Sequence, residues 1–438
     1  MKTENPTSRR QFLKSMGLAS APLMMPTLSL GNVVNPSAPK DRPLRFALIG
    51  YGGRGSSLVK EAAAFGEIKA ICDVDTAHLD RAWKEHKGVT RYSDFRQVLE
   101  LDDVDAIICA TVDHWHAQIS VAAMKAGKDV YCEKPMTLCF AEGKPVIETQ
   151  KQTGRILQVG SQQRSKQRFR MACEFVRNGR IGKLRHVEVV IPEGPRMFPF
   201  NPNQKVPTTL AWDMWKGQTP DVPYMEERTH LTFRYWWDYS GGTLTDWGVH
   251  HNDIAIWGAG LENEWPVKIV GTSLAPAIPG GFTADSRFKI HYTYADGLTI
   301  DCHTTPDSSF YGELLRPDGQ GHGVKFVGDD GWIWVTRGDW DASDEQILRE
   351  PLGEDAIRLY ESLDHMRNFV ESTLYRREPI STPEVGHRSA GLCHLGVISL
   401  RLGRALEFDP ASETFVGDDE ATGMLARPMR EPYDWSFV

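Results

Sequence analysis

Asp246 and His250 stand four residues apart in the run Gly241-Gly242-Thr243-Leu244-Thr245-Asp246-Trp247-Gly248-Val249-His250-His251-Asn252-Asp253, and a single lysine, Lys134, sits between Glu133 and Pro135 at the end of an apolar stretch. A histidine, with an ordinary pKa of about 6.5, can take a proton from a hydroxyl near neutral pH. A lysine beside it can polarise the same oxygen and lower the alcohol's pKa. If the segment is helical, Asp246, His250 and Asp253 fall on one face, at i, i+4 and i+7. This is equipment for oxidising a secondary alcohol, provided something accepts the hydride. The acceptor is foreshadowed upstream, where Leu44–Ile49 runs into Gly50-Tyr51-Gly52-Gly53-Arg54-Gly55. In such a Gly-x-Gly-x-x-Gly turn the first glycine permits the tight bend, the second admits a pyrophosphate and the third lets helix and strand pack closely. The phosphates then meet a helix N-terminus. Asp73, which ends Ile71-Cys72-Asp73, stands where a ribose-binding carboxylate belongs; it favours NAD, while Arg54 keeps NADP as the alternative. His250 and His251 with Asp246 or Asp253 are also metal-ligand types, but nothing else in the chain resembles a metal motif and no metal is expected.

The elements that must hold these residues alternate over the first part of the chain. Strand-like runs at 44–49, 68–72, 106–110, 129–132 and 156–159 are separated by helical patterns at 56–65, 76–86, 118–126 and 141–152. Such alternation predicts βαβ units and a parallel sheet, with the ligand crevice at the carboxyl ends of the strands. After a helix near 166–178 the texture changes to strand-like runs at 184–191, 267–273, 287–294, 298–303, 324–327 and 332–336, then helical patterns at 357–374 and 384–406. The expected fold is therefore an N-terminal Rossmann domain with a doubly wound parallel sheet (43–165). A C-terminal α+β domain with a large, mainly antiparallel sheet (166–438) should follow. A long aromatic insertion, 195–265, interrupts the second domain, and insertions of that length are usually functional.

Three segments added to the glycine turn carry a family resemblance: Ala110-Thr111-Val112-Asp113-His114-Trp115-His116, Glu133-Lys134-Pro135, and the Gly241–Asp253 run. Together they resemble the Gfo/Idh/MocA oxidoreductases, the family of glucose–fructose oxidoreductase and the inositol dehydrogenases, over nearly all of the chain after its leader. The resemblance implies that Lys134 lies between nicotinamide and substrate hydroxyl, that His250 exchanges the proton, and that Asp246 holds substrate or orients the histidine. It also implies that Gly50, Gly52, Gly53, Arg54, Gly55, Asp73, Thr111, Asp113, His116, Glu133, Lys134, Gln162 and Gln163 surround the cofactor. His114 and His116 read at strand-like spacing, and one of them is expected to be structural. The second domain's sheet is expected to make a homo-oligomer face, as the family implies.

The 13 tryptophans suit a sugar-binding wall, since indole faces pack on C–H faces; Trp212, Trp215, Trp236, Trp237 and Trp247 fall in the insertion. Candidate substrate contacts are Arg164, Trp212, Arg234, Tyr235, Tyr239 and His251. The expected partner is a carbohydrate or cyclitol; no phosphate-binding cluster outside the cofactor turn argues for a phosphorylated one.

Near its start the chain carries Ser8-Arg9-Arg10-Gln11-Phe12-Leu13-Lys14 and then an uncharged stretch, which reads as a twin-arginine export signal with a linker (1–42). That route carries folded proteins, so the expected location is periplasmic, with cofactor already bound. Away from a free NAD pool, turnover must be redox-neutral or use a second substrate. Transient oxidation also acidifies a neighbouring C–H and permits elimination, as in the exported NAD-dependent N-acetylgalactosaminidases of the wider group. Those carry Glu-Val-Ser where this chain keeps Glu133-Lys134-Pro135, so dehydrogenase chemistry is the first reading and glycosidase chemistry the second; a non-catalytic sugar-binding protein is the third. A net charge of -8 without a basic cluster disfavours nucleic acid, and no stable membrane anchor is expected. The seven cysteines, an odd number with no CxxC, read as buried free thiols.

Overall fold

The computed structural model describes residues 42–438 except 196–198, 203, 276 and 306–321, so the twin-arginine segment lies outside the described residues. The first layer is built from β1 (Leu44–Ile49), α1 (Gly53–Ala63), β2 (Gly66–Cys72), α2 (Thr76–Glu85), β3 (Thr90–Tyr92), α3 (Phe95–Leu99), β4 (Ala106–Cys109), α4 (Asp113–Lys125), β5 (Asp129–Cys132), α5 (Gly143–Thr153) and β6 (Leu157–Val159). Its six strands run in the order β3-β2-β1-β4-β5-β6 and every pair is parallel. The strand order reverses between β1 and β4, which opens a crevice above their carboxyl ends. Helices cover both faces, so β4 and β5 are buried at every residue and read as continuous apolar runs.

The second layer follows α6 (Gln167–Arg177). It comprises β7 (Leu184–Pro192), α7 (Trp212–Lys216), α8 (Val249–Ala259), β8 (Lys268–Ala275), β9 (Arg287–Thr293), β10 (Thr299–Thr305), β11 (Gly323–Gly328), β12 (Trp332–Val335), β13 (Trp340–Ala342), α9 (Gln346–Arg349), α10 (His365–Tyr375), α11 (Pro383–Leu402), β14 (Ala405–Asp409) and β15 (Thr414–Phe415). Nine strands form one sheet in the order β13-β12-β11-β7-β10-β9-β8-β14-β15, antiparallel except for β7 beside β10. In β9, Phe288, Ile290 and Tyr292 turn inward while Lys289 stays exposed, the alternation of a sheet packed on one face. That inner face rests on α8 and α11. α8 is enclosed on all sides, so its polar residues are buried along with its apolar ones.

Several expectations change in detail. The Asp113–His116 segment is not a strand end: it forms the first turn of α4, and helical geometry points His114 and His116 in different directions. The helix expected from 357 begins only at His365, after a loop capped by Asp364, whose carboxylate accepts from Arg367 N. The pattern read as helix to 406 stops at Leu402, where Gly403 turns left-handed and releases the chain into β14. The chain also returns to the first layer at several points, the insertion around α7 and two later stretches among them. Met366, Phe369 and Val370 of α10 pack beside Phe46 and Tyr131, and Tyr433 and Phe437 pack beside Phe95 and Trp115. All seven cysteines are buried and free. Among the described residues no helix is long and apolar enough to cross a membrane.

Candidate active site

A cleft of about 1290 Å³ runs from the β1–β4 crevice to the near end of α8. A single small-molecule site occupies roughly 300–1,000 Å³, so this volume accommodates a dinucleotide with a small substrate. Its two ends are made differently.

At the first end, backbone does the shaping. Gly50 has φ +96°, and a Cβ there would lie 2.5 Å from Ala110 O. A Cβ on Gly55 would lie 1.9 Å from Gly50 O, so this glycine sits beneath the turn and lets α1 pack against β1 rather than facing the cleft. Beside Gly52 and Gly53, by contrast, there is open space, and α1 starts there without a side-chain cap or an acidic first turn. Such an N-terminus presents free N–H groups to an anion. Asp73 lines the cleft; its carboxylate accepts from Tyr51 N (2.7 Å) and Asp75 N (2.9 Å) and lies 3.0 Å from His78 Nδ1. Arg54 is paired with Glu133 (3.0 Å) and Glu61 (2.8 Å). Gln162 donates to the same Glu133 oxygen (2.8 Å). These residues fit NAD: the glycine cradle holds space for the pyrophosphate, and an acid stands at the ribose position.

At the second end, side chains converge from separate segments. β5 delivers Glu133 and Lys134, and the Lys134–Pro135 bond is cis. His116 fastens this corner, since its Nδ1 lies 2.7 Å from Pro135 O and its Nε2 3.2 Å from Thr111 O. Lys134 Nζ donates to Asp246 O (3.0 Å) and Asp246 Oδ1 (2.5 Å), and Arg234 Nε also donates to Oδ1 (3.3 Å). Burial would raise the Asp246 pKa, but the two cations outweigh it and hold the carboxyl below its usual range. Asp246 does not line the cleft; it stands behind Lys134 and braces it. It also sits in a wide π-type turn (Leu244–Gly248) that leads into α8, so the regular i, i+4 face expected with His250 is not formed. Asp113 accepts from Ser240 Oγ (2.5 Å), and burial lifts its carboxyl above the usual range.

His250 is the exception within α8. Its neighbours are tied to interior groups: His251 Nε2 lies 2.9 Å from His322 Nδ1, Asn252 donates to Cys393 Sγ (3.4 Å) although its Oδ1 has no partner, and Asp253 is held by Arg164 (2.8 Å) and Ser389 (2.7 Å). The His250 ring lines the cleft, and its Nδ1 has no hydrogen-bond partner. Burial, reinforced by the charges of Lys134 and Arg337, pushes its pKa well below the ordinary value. A neutral imidazole ready to accept a proton results.

The structure thus brings Gly50, Gly52, Gly53, Arg54, Asp73, Thr111, Asp113, His116, Glu133, Lys134, Gln162, Gln163, Arg234 and His250 to one cleft. It does not bring Arg164, Trp212, Tyr235, Tyr239 or His251 there. Arg164 is buried against Asp253 and stacked over Trp257, because an arginine inside the second layer needs a carboxylate more than a surface. Trp212 lies one layer back, stacked on Trp215 at 5.0 Å. Tyr239 packs edge-on against Trp215, Tyr235 packs on Phe282, and His251 belongs to the helix interior. Most insertion aromatics fill their own core with Trp236 and Phe233, and only Trp215 of the five tryptophans reaches the cleft. His114 is structural: its Nε2 lies 2.8 Å from Trp215 O, and burial takes its pKa down to about 3. The metal-ligand alternative for His250, His251, Asp246 and Asp253 does not assemble, since three of the four are committed to other partners. Sequence reasoning missed His78, His230 and the 363–367 segment at the start of α10 on the cleft wall, and above all Arg337. Arg337 occupies the β12–β13 turn, where no motif marks it; only the return of the second sheet brings it to His250.

Fold and site define an NAD-binding oxidoreductase. Residues 44–161 match the "Oxidoreductase family, NAD-binding Rossmann fold" model and residues 200–309 and 352–435 the "Oxidoreductase family, C-terminal alpha/beta domain" model; the chain belongs to the Gfo/Idh/MocA family. Among curated proteins it is similar to a "Glycosyl hydrolase family 109 protein" of Shewanella baltica, 32% identical over 205 residues, which is 41% of this chain and 45% of that protein. The match thus spans less than half the length of that relative. Among solved structures it is similar to the WlbA dehydrogenase from Bordetella pertussis in complex with NADH and UDP-GlcNAcA (TM-score 0.62, 18% identity, 84% of this chain and 99% of that one). It is also similar to the aldose-aldose oxidoreductase from Caulobacter crescentus (TM-score 0.61, 19% identity, 84% and 100%). At these identities the structural likeness speaks for the fold.

Proposed function

We propose that this protein moves a hydride between NAD and a secondary hydroxyl or ketone of a sugar, glycoside or cyclitol. The observation that carries the reading is His250: a neutral, otherwise unpartnered imidazole at the end of a dinucleotide-sized cleft, facing the same space as Lys134. NAD, when bound, would supply hydride acceptance and return. Lys134, held by Asp246 and steered by the His116 corner, donates to the substrate oxygen and favours its deprotonation. His250 takes the hydroxyl proton, and its depressed pKa keeps it in the accepting form at neutral pH. Arg234 helps keep Asp246 ionised, so that Lys134 stays in place. Substrate sits against Trp215 and the Arg234 wall of the insertion.

The twin-arginine leader makes this an exported, periplasmic enzyme in our reading, with cofactor retained between turnovers and the second sheet as its homo-oligomer face. A glycosidase acting by transient oxidation and elimination is the second reading, favoured by the likeness to the Shewanella baltica protein; Lys134 favours the first. The test is to purify the exported form, denature it and identify the released nucleotide by mass, then offer the holoprotein glycosides and sugar pairs. NAD at near one per chain with formation of a keto sugar fits the first reading. Release of an aglycone without net oxidation turns the assignment to the glycosidase. A protein that neither carries nor binds NAD refutes both.

A further inference from the structure

The arginines and lysine around the reacting end differ in how their charge is answered. Arg54 has Glu133 and Glu61, while Lys134 and Arg234 share Asp246. Arg337 has no carboxylate: among the described residues it makes no ion pair, and its Nε donates to the Gln163 side-chain oxygen at 3.0 Å. It is not loose either. Its guanidinium lies over the Trp247 ring at 4.6 Å, and Gln163, which braces it, is itself tied to His250 O at 3.1 Å. Arg337 as a whole is exposed and lines the cleft wall. An arginine aligned on two sides and free on the third offers a planar fork suited to a carboxylate or another oxyanion. The local charge points the same way: three cations, Lys134, Arg234 and Arg337, face two carboxyl groups, Asp246 and Asp113, since Arg54 and Glu133 answer each other.

We propose that Arg337 is a specificity residue and that the substrate is an anionic sugar, its carboxylate or sulfate taken by the Arg337 fork while the neighbouring hydroxyl meets Lys134 and His250. This rests on the oxidoreductase reading for the hydroxyl, but the anion subsite is independent of turnover. A sugar acid and a sulfated sugar share the oxyanion, and the experiment separates them.

The test uses the full chain with NAD bound. D-glucuronate, D-galacturonate, 6-sulfated N-acetylglucosamine and the matching neutral sugars are titrated by calorimetry and then assayed for reduction of bound NAD. One of the anionic sugars should bind at least tenfold more tightly than its neutral counterpart, and added salt should erode the difference. Arg337→Gln should remove that preference with NAD content unchanged; Arg337→Lys should restore part of it, because charge returns without the fork. Equal or tighter binding of neutral sugars overturns the proposal, as does a preference that survives Arg337→Gln, or a variant that loses NAD instead of sugar. Oxidation of neutral glycosides with no response to Arg337 leaves the redox reading standing and the subsite refuted. Arg337-dependent binding of the anionic sugar without any oxidation does the reverse.

Discussion

The two ends of the cleft solve their tasks by opposite means. The nucleotide end is made mostly of backbone: the Gly50–Gly55 turn, the open start of α1 and one acid, Asp73, all within thirty residues of sequence. The reacting end is made of side chains from five separated places, Lys134, Gln163, Arg234, His250 and Arg337, of which all but the His250 imidazole are braced by a hydrogen-bonded neighbour. A backbone site needs particular residues at fixed spacing, so it leaves a motif. A side-chain site needs a rigid frame, and here α8, enclosed on all sides, and the His116–Pro135 contact provide it.

The comparison can be broken most forcefully at Lys134. Lys134→Ala should lower turnover by about 10²–10³-fold, the range for losing a preorganised donor to a developing oxyanion, while NAD, held at the other end, stays bound; steady-state rates beside nucleotide content check this. Arg164 tests the frame rather than the chemistry. Arg164→Ala leaves Asp253 charged and buried, which costs about 3–5 kcal/mol, so denaturant unfolding should register it; Arg234→Ala, at the cleft, should act on turnover instead. At the nucleotide end, Asp73→Asn removes the charge facing a 2′-phosphate and should reduce the preference for NAD over NADP by roughly tenfold, about 1.4 kcal/mol, read from the two dissociation constants.

The smallest effect per group is in pH. Burial lowers the pKa of His114, His387 and His394 to about 3 and of His365 to about 4. These groups take up protons in the unfolded chain near 6.5 but not in the folded one. Their contribution to stability is therefore complete above about 6.5 and is lost as pH falls toward the folded values, by about 1.4 kcal/mol per pH unit for each histidine. Thermal midpoints measured between pH 7 and 5 should fall accordingly.

Much of this was legible in the chain. The parallel layer could be read because βαβ alternation and a Gly-x-Gly-x-x-Gly turn are local patterns; the expected strands of both sheets fell close to their bounds, while the short β3, β13 and β15 and the strand β14 after α11 were not foreseen. Lys134 and His250 were readable from their motifs. Arg164, Tyr239 and His251 were misread for one reason: a polar residue near a motif looks the same whether it faces ligand or an interior partner, and only Asp253, Trp215 and His322 reveal which. Arg337 was invisible because a hairpin-turn arginine gains meaning only when the sheet folds back over α8.

The central claim is that His250, kept neutral by burial, accepts the hydroxyl proton during hydride transfer. Rapid mixing of the NAD-loaded protein with its sugar, followed by the near-ultraviolet absorbance of reduced nicotinamide, tests it in a single turnover. The account predicts a fast rise in the unmodified protein, with an acid limb displaced below about 6.5, and a rise slowed by about 10²–10⁴-fold in His250→Ala at equal NAD content. An equally fast rise in His250→Ala would contradict it.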